Sequence, residues 1–198
     1  MEWLDVATWN QLDGRWKDTR LGTCADATIG SDGCLMSCMG MLGRATPDVA
    51  ARLFEERGLF WNGCCAGTFD LRRAGLSLGP ALTHVTGYYE TVEFPPGELE
   101  IVWNHIRAGG VGIGCVDFDP KTVKFDQHWV VLAKAFGSGG YEDFVIKDPW
   151  GGVECAFTKR YGTLPRALVR VALYGFEPVM REVSQPIELR QERRATRK

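Results

Sequence analysis

Cys34 stands in the run Gly33-Cys34-Leu35-Met36-Ser37-Cys38-Met39-Gly40-Met41-Leu42, a setting that could make its thiol a nucleophile. Asp32-Gly33 reads as a turn, and the apolar run after it as a short buried helix, which puts Cys34 at or beside a helix N-terminus. Unpaired backbone N–H groups and the positive end of the macrodipole favour an anion there. The thiolate is the reactive form of cysteine. The competing reading is a small buried hydrophobe, which is what cysteine often is.

A histidine and an acid elsewhere in the chain would complete the chemistry. Asp126-Gln127-His128-Trp129-Val130-Val131-Leu132 begins a strand with His128 near its start. Gly137-Ser138-Gly139-Gly140 reads as a turn, and a strand from Tyr141 to Ile146 returns into Lys147-Asp148-Pro149-Trp150-Gly151-Gly152. A hairpin closing at this turn sets His128 opposite Asp148 or its neighbour Pro149, at cross-strand hydrogen-bonding reach, with one residue of latitude in the register. A cysteine nucleophile needs a base to take its proton and return it to the leaving amine. The base needs a third group to fix its tautomer and orient its ring. Cys34, His128 and Asp148 supply those types in that order. Taken singly, His128 also reads as a surface or core histidine, and Asp148 as a turn-former before Pro149.

The elements that must position these residues fall into two halves. The first thirty residues, rich in Trp, Asp, Gly and Thr, suggest a loop-rich opening. The Cys34 helix ends near Gly43. Thr46-Pro47-Asp48 opens a second helix, with Thr46 as N-cap and Pro47 at the first helical position, closed by Gly58. Residues 59–80 form a Gly- and Cys-bearing segment with a short helix expected around Phe69 to Ala74. A weak strand is expected from Leu82 to Val92, and a helix from Gly97 to about Ala108 closed by Gly109-Gly110. The runs Val111–Phe118, His128–Phe136, Tyr141–Ile146, Val153–Thr158 and Ala167–Phe176 read as strands. Helices first and an antiparallel-looking sheet after them is the pattern of an α+β domain.

Composition narrows the classes further. The chain has 198 residues, 45% apolar and 24% charged, enough for one domain with a real core. A net charge of −2 argues against general nucleic-acid binding. No apolar run approaches the roughly 18 residues of a membrane span, and the first residues lack the pattern of a signal peptide, so synthesis in the cytoplasm is expected. Seven cysteines, an odd number, argue against a disulfide framework. The three histidines stand apart and no Cys-x-x-Cys pair appears, so neither a metal nor another cofactor is expected. Cys64-Cys65 reads as cleft lining or packing, or else as a rival nucleophile or redox pair. Residues 181–198 carry six Lys or Arg against three Glu. They read as a charged extension beyond a domain of residues 1–180, either a solvated terminus or a tail docked on a protein partner.

With these residues on the page, the chain resembles the papain-like cysteine peptidases, in the branch related to the leader-processing domains of bacteriocin exporters. Gln11-Leu12-Asp13-Gly14-Arg15-Trp16 with Leu21-Gly22 is similar to that branch's opening segment. Ile29-Gly30-Ser31-Asp32-Gly33-Cys34 is similar to its nucleophile segment. Thr46-Pro47, the His-Trp-Val-Val strand and Asp148-Pro149-Trp150-Gly151 follow in the same order, so the likeness covers roughly residues 9 to 161. Leu35-Met36-Ser37-Cys38, where many relatives have Gly-Pro-Thr-Ser, departs from the pattern. So does Gly110-Val111-Gly112-Ile113-Gly114, where a Gly-x-Pro-Val strand start is usual. The resemblance implies a papain-like fold and a thiol peptidase with Cys34, His128 and Asp148 as its triad. It further implies an oxyanion hole made by the Gln11 side chain and the Cys34 backbone N–H. The substrate it points to is a peptide, in particular a peptidoglycan peptide cleaved by a protein of a phage tail or other virion particle. A non-catalytic assembly module that keeps the fold is the alternative, and an acyl or amide transferase using the same residues is a third reading.

Overall fold

The computed structural model describes residues 6–90, 92–119, 125–137 and 143–175. The boundary expected at 180/181, the tail beyond it and the turn expected over 137–140, apart from Gly137, lie outside these residues. Helix and sheet are mixed, and the sheet is antiparallel throughout, as expected for an α+β chain.

After an opening loop, the chain forms α1 (Ile29–Asp32), α2 (Cys34–Gly43) and α3 (Pro47–Glu56). A small ribbon of β1 (Phe60–Trp61) and β2 (Cys65–Ala66) follows. Then come β3 (Ala81–Val85), α4 (Pro96–Arg107), β4 (Val111–Asp117), β5 (Gln127–Phe136), β6 (Asp143–Asp148), β7 (Val153–Ala156), α5 (Phe157–Tyr161), α6 (Leu164–Ala167) and β8 (Leu168–Gly175). The main sheet has the order β3-β8-β4-β5-β6-β7. Among the described residues no helix is long and apolar enough to cross a membrane.

Both faces of this sheet are covered, and that explains its composition. Trp129, Val131 and Ala133 of β5 join Met36, Met39, Leu42 and Phe54 of α2 and α3 in one core. Val130 and Leu132 join Val102 and Ile106 of α4 in the other. A strand buried on both faces loses the apolar–polar alternation and reads as a continuous apolar run. The sharp turn from α1 into α2 needs Gly33 for space rather than for dihedral freedom. A Cβ there would lie 2.4 Å from Ile29 Cα and 2.5 Å from its carbonyl oxygen. Gly33→Ala is therefore expected to cost about 1–3 kcal/mol, the usual penalty of forced overpacking, read as a lower urea midpoint with unchanged m-value.

Several expectations need correction. Residues 71–75 form turns, not a helix: the Asp70 carboxylate accepts from the Arg72 and Arg73 N–H groups and competes with helix propagation. The strand expected over Leu82–Val92 ends at Val85, and that over Val153–Thr158 ends at Ala156, where α5 begins. The hairpin register is also shifted. Val131 pairs with Lys147 and Leu132 with Ile146, and a bulge between Leu132 and Lys134 moves the turn-side pairs by one. One step beyond the Val131–Lys147 pair, Asp148 stands level with Val130, so His128 reaches it diagonally. Finally, Cys24 and Cys64 are joined in a disulfide with a Cα–Cα distance of 5.6 Å, against the reading that no cysteines are bridged. The backbone bond from Thr23 N–H to Gly63 O, 2.9 Å, had already brought those two loops together.

Candidate active site

Three elements deliver the expected residues to one groove. Cys34 is the first residue of α2, with Gly33 as N-cap, and is half-buried. One turn later, the buried Cys38 thiol donates to the Trp129 carbonyl at 3.3 Å, fixing α2 against β5 just beyond His128. His128 and Asp148 are both buried, and His128 Nε2 lies 2.8 Å from Asp148 Oδ1. Cys34 lies close enough to the imidazole for its sulfur to raise the ring's pKa, and both residues border the same cavity. Because Nε2 is engaged by the carboxylate, Nδ1 is the nitrogen left for sulfur.

The electrostatics follow from this geometry. Burial alone would push the His128 pKa down, but the hydrogen bonds and charges of Asp148 and Cys34 outweigh it and raise it to about 9. For Asp148, burial opposes ionisation, yet His128, the Tyr161 hydroxyl and the Trp150 N–H hold the carboxyl below its usual range. The Trp150 N–H donates to Oδ1 at 2.7 Å. Tyr161 O–H donates to Oδ2, and Arg160 makes an ion pair with the same oxygen while its guanidinium donates to Trp150 O at 2.9 Å. Phe118 packs edge-on against His128 with ring centroids 5.1 Å apart and also touches Trp150 at 5.7 Å. The imidazole is thus screened from water on the side away from sulfur, where charge interactions gain strength.

Gln11 is buried, which excludes an ordinary exposed glutamine. Its Nε2 donates to Gly30 O at 3.1 Å, just before the Cys34 helix, and its backbone N–H donates to Pro149 O at 2.9 Å, beside Asp148. The acceptor at Gly30 assigns the amide orientation, and the side-chain Oε1 is buried without a hydrogen-bond partner among the described residues. Gln11, Cys34, His128, Trp129 and Trp150 all border a cavity of about 830 Å³. Cys64 and Cys65 border it too, so both line the cleft; the first is bridged to Cys24 and the second is a free exposed thiol. Among the described residues no group of three or more His, Cys, Asp or Glu is gathered closely enough to hold a metal ion.

Sequence reasoning missed Tyr161, Arg160 and Phe118. Tyr161 and Arg160 lay within or beside what read as the end of a strand. The usable signal was Gly162, whose φ of 82° ends the short helix that carries both. No family model matches this chain, and no curated protein matches it.

Proposed function

We propose that the chain is a papain-like cysteine peptidase acting through a Cys34–His128–Asp148 triad. The observation that carries this reading is one imidazole hydrogen-bonded through Nε2 to a buried carboxylate, with a thiol at a helix N-terminus near enough to raise the ring's pKa. In the reaction, the Cys34 thiol transfers its proton to His128 Nδ1 and sulfur attacks the scissile carbonyl carbon. The resulting oxyanion accepts from the Cys34 backbone N–H and the second Nε2 proton of Gln11, an arrangement where one donor contributes a factor of about 10²–10³ in rate. His128 then protonates the leaving amine, the C–N bond breaks and a thioester remains. Water, deprotonated by the same imidazole, hydrolyses it and regenerates the thiol. Asp148 holds the ring and stabilises its cationic form.

The substrate in this reading is a peptidoglycan peptide, met by a protein carried in a phage tail or other virion particle; the resemblance to the leader-processing branch supports it. The alternative of a non-catalytic assembly module calls for a blocked cleft or a histidine turned away, and the open groove with His128 in its wall favours the hydrolase. Two measurements test the proposal. Iodoacetamide near neutral pH is expected to label Cys34 first among the free thiols. Burial pushes Cys38 and Cys155 up, and Cys115 up to about 12, leaving the exposed Cys65 as the internal control. Muropeptide cleavage followed by mass spectrometry is expected to disappear in Cys34→Ala. Labelling led by Cys65, or no cleavage across several wall chemotypes, would count decisively against the respective claims.

A further inference from the structure

Arg170 is the one charged residue of strand β8, and among the described residues no acid forms an ion pair with it, although Glu90 acts with it on Cys115 and Tyr88. It pairs across the sheet with Cys115, which pairs in turn with Trp129. Its guanidinium carbon lies 5.3 Å over the Phe69 ring, and Phe69 packs against Trp129 with centroids 5.3 Å apart. Arg170 borders the same groove as Cys34. Its Nε is shut off from water and has no hydrogen-bond partner. The groove also holds the carboxylates Asp32 and Asp126, yet among the described residues no acid forms an ion pair with Arg170.

A guanidinium keeps its charge, has only donors, and matches a carboxylate with two parallel N–H bonds. With Nε shut away, the terminal guanidinium N–H groups are the donors that a carboxylate in the groove would meet. We propose that Arg170 is the specificity residue of the groove and receives a carboxylate of the bound peptide, either an Asp or Glu side chain or a free C-terminal group. Phe69 and Trp129 supply the flat apolar wall beside it. This inference rests on the reading of the groove as a peptide site, and it is independent of whether Cys34 turns the peptide over.

The test uses the full chain as Cys34→Ala, so that nothing is consumed. It is incubated with hexapeptides in matched sets: Glu against Gln at each position with amidated ends, and free against amidated C-termini in acid-free sequences. Retained peptides are read by mass spectrometry. Acidic members of one set are expected to be retained about ten-fold or more over their amide counterparts, the value of a charge-assisted hydrogen bond. The preference should vanish when Arg170→Gln is added. Equal retention of all pairs, or a preference untouched by Arg170→Gln, overturns the inference. If that variant does not fold, phenylglyoxal modification of Arg170 in the Cys34→Ala chain decides. The retained acidic peptide should slow it and the amide counterpart should not, and equal rates overturn the proposal. An unreactive Cys34 with intact peptide preference would remove the peptidase reading alone.

Discussion

A His128→Ala protein is expected to lose about 10²–10⁴-fold in kcat/KM on any muropeptide that the native chain cleaves, the range associated with a positioned general acid–base. The imidazole acts on the thiol proton, on the leaving amine and on the hydrolytic water, so its loss leaves all three steps unassisted. The oxyanion donors remain, because Gln11 keeps its bonds to Gly30 O and Pro149 O without the histidine. The fold should survive as well: Asp148 retains the Tyr161 hydroxyl, the Trp150 N–H and the Arg160 ion pair. Rates from single-substrate digests, paired with urea unfolding curves, separate these effects. A loss below ten-fold in a stably folded variant would remove His128 from the mechanism.

Asp148→Asn is the second large expectation, and its signature is in stability. The carboxylate is fully buried at the meeting point of His128, Tyr161, Arg160 and the Trp150 N–H. Removing its charge leaves the partly exposed Arg160 guanidinium without its counter-ion and weakens the charge-assisted bonds from His128 and Tyr161, at about 1.5–3 kcal/mol per bond. Part of that difference depends on pH. The His128 pKa is raised from 6.5 to about 9, so the stability it contributes is fully present below pH 6.5 and is lost as pH climbs through about 9. Asp148 is depressed below 3.8, so its contribution is present above that pH and fades as pH falls through the lower folded value. The gap between native and variant proteins should therefore be widest between about pH 4 and 6.5. The histidine part amounts to about 3 kcal/mol, some of it owed to Cys34. Urea midpoints measured from pH 4 to 10 would reveal this; a gap that stays constant through pH 9 would show that the two side chains are not coupled as described.

How much of this could be read from the chain alone varied with the physics of each element. The helices α2 and α3 were legible because local signals mark them: Gly33 before an apolar run, and Pro47 after Thr46. β4, β5 and β8 were legible as apolar, β-branched runs. The register of β5 on β6 was not, because a bulge leaves no mark in composition; it brings Asp148 one residue nearer to facing His128 than the turn-side pairing alone would. Cys34, His128 and Asp148 were each nameable from residue type and neighbourhood. Tyr161 was hidden because its role depends on α5, a five-residue helix with no periodicity to detect. The Cys24–Cys64 bridge was hidden because a count of cysteines says nothing about which loops the sheet brings together. Arg170 stood in plain view, a single charge inside Ala167–Phe176, but its meaning required knowing that it borders the groove and that among the described residues no acid forms an ion pair with it.

Gln11 has a mechanical consequence. Its side chain grips the segment leading to the sulfur and its backbone grips the segment following the acid, so one residue clasps the two banks of the channel at a set span. Widening at that end means releasing both grips together. Room for a bulky guest must therefore come from the far bank, the rim from Trp61 to Phe69, which is held by the Cys24–Cys64 bridge, the Thr23 N–H bond to Gly63 O, the β1–β2 pairing and the Tyr174 hydroxyl bond to Phe69 O.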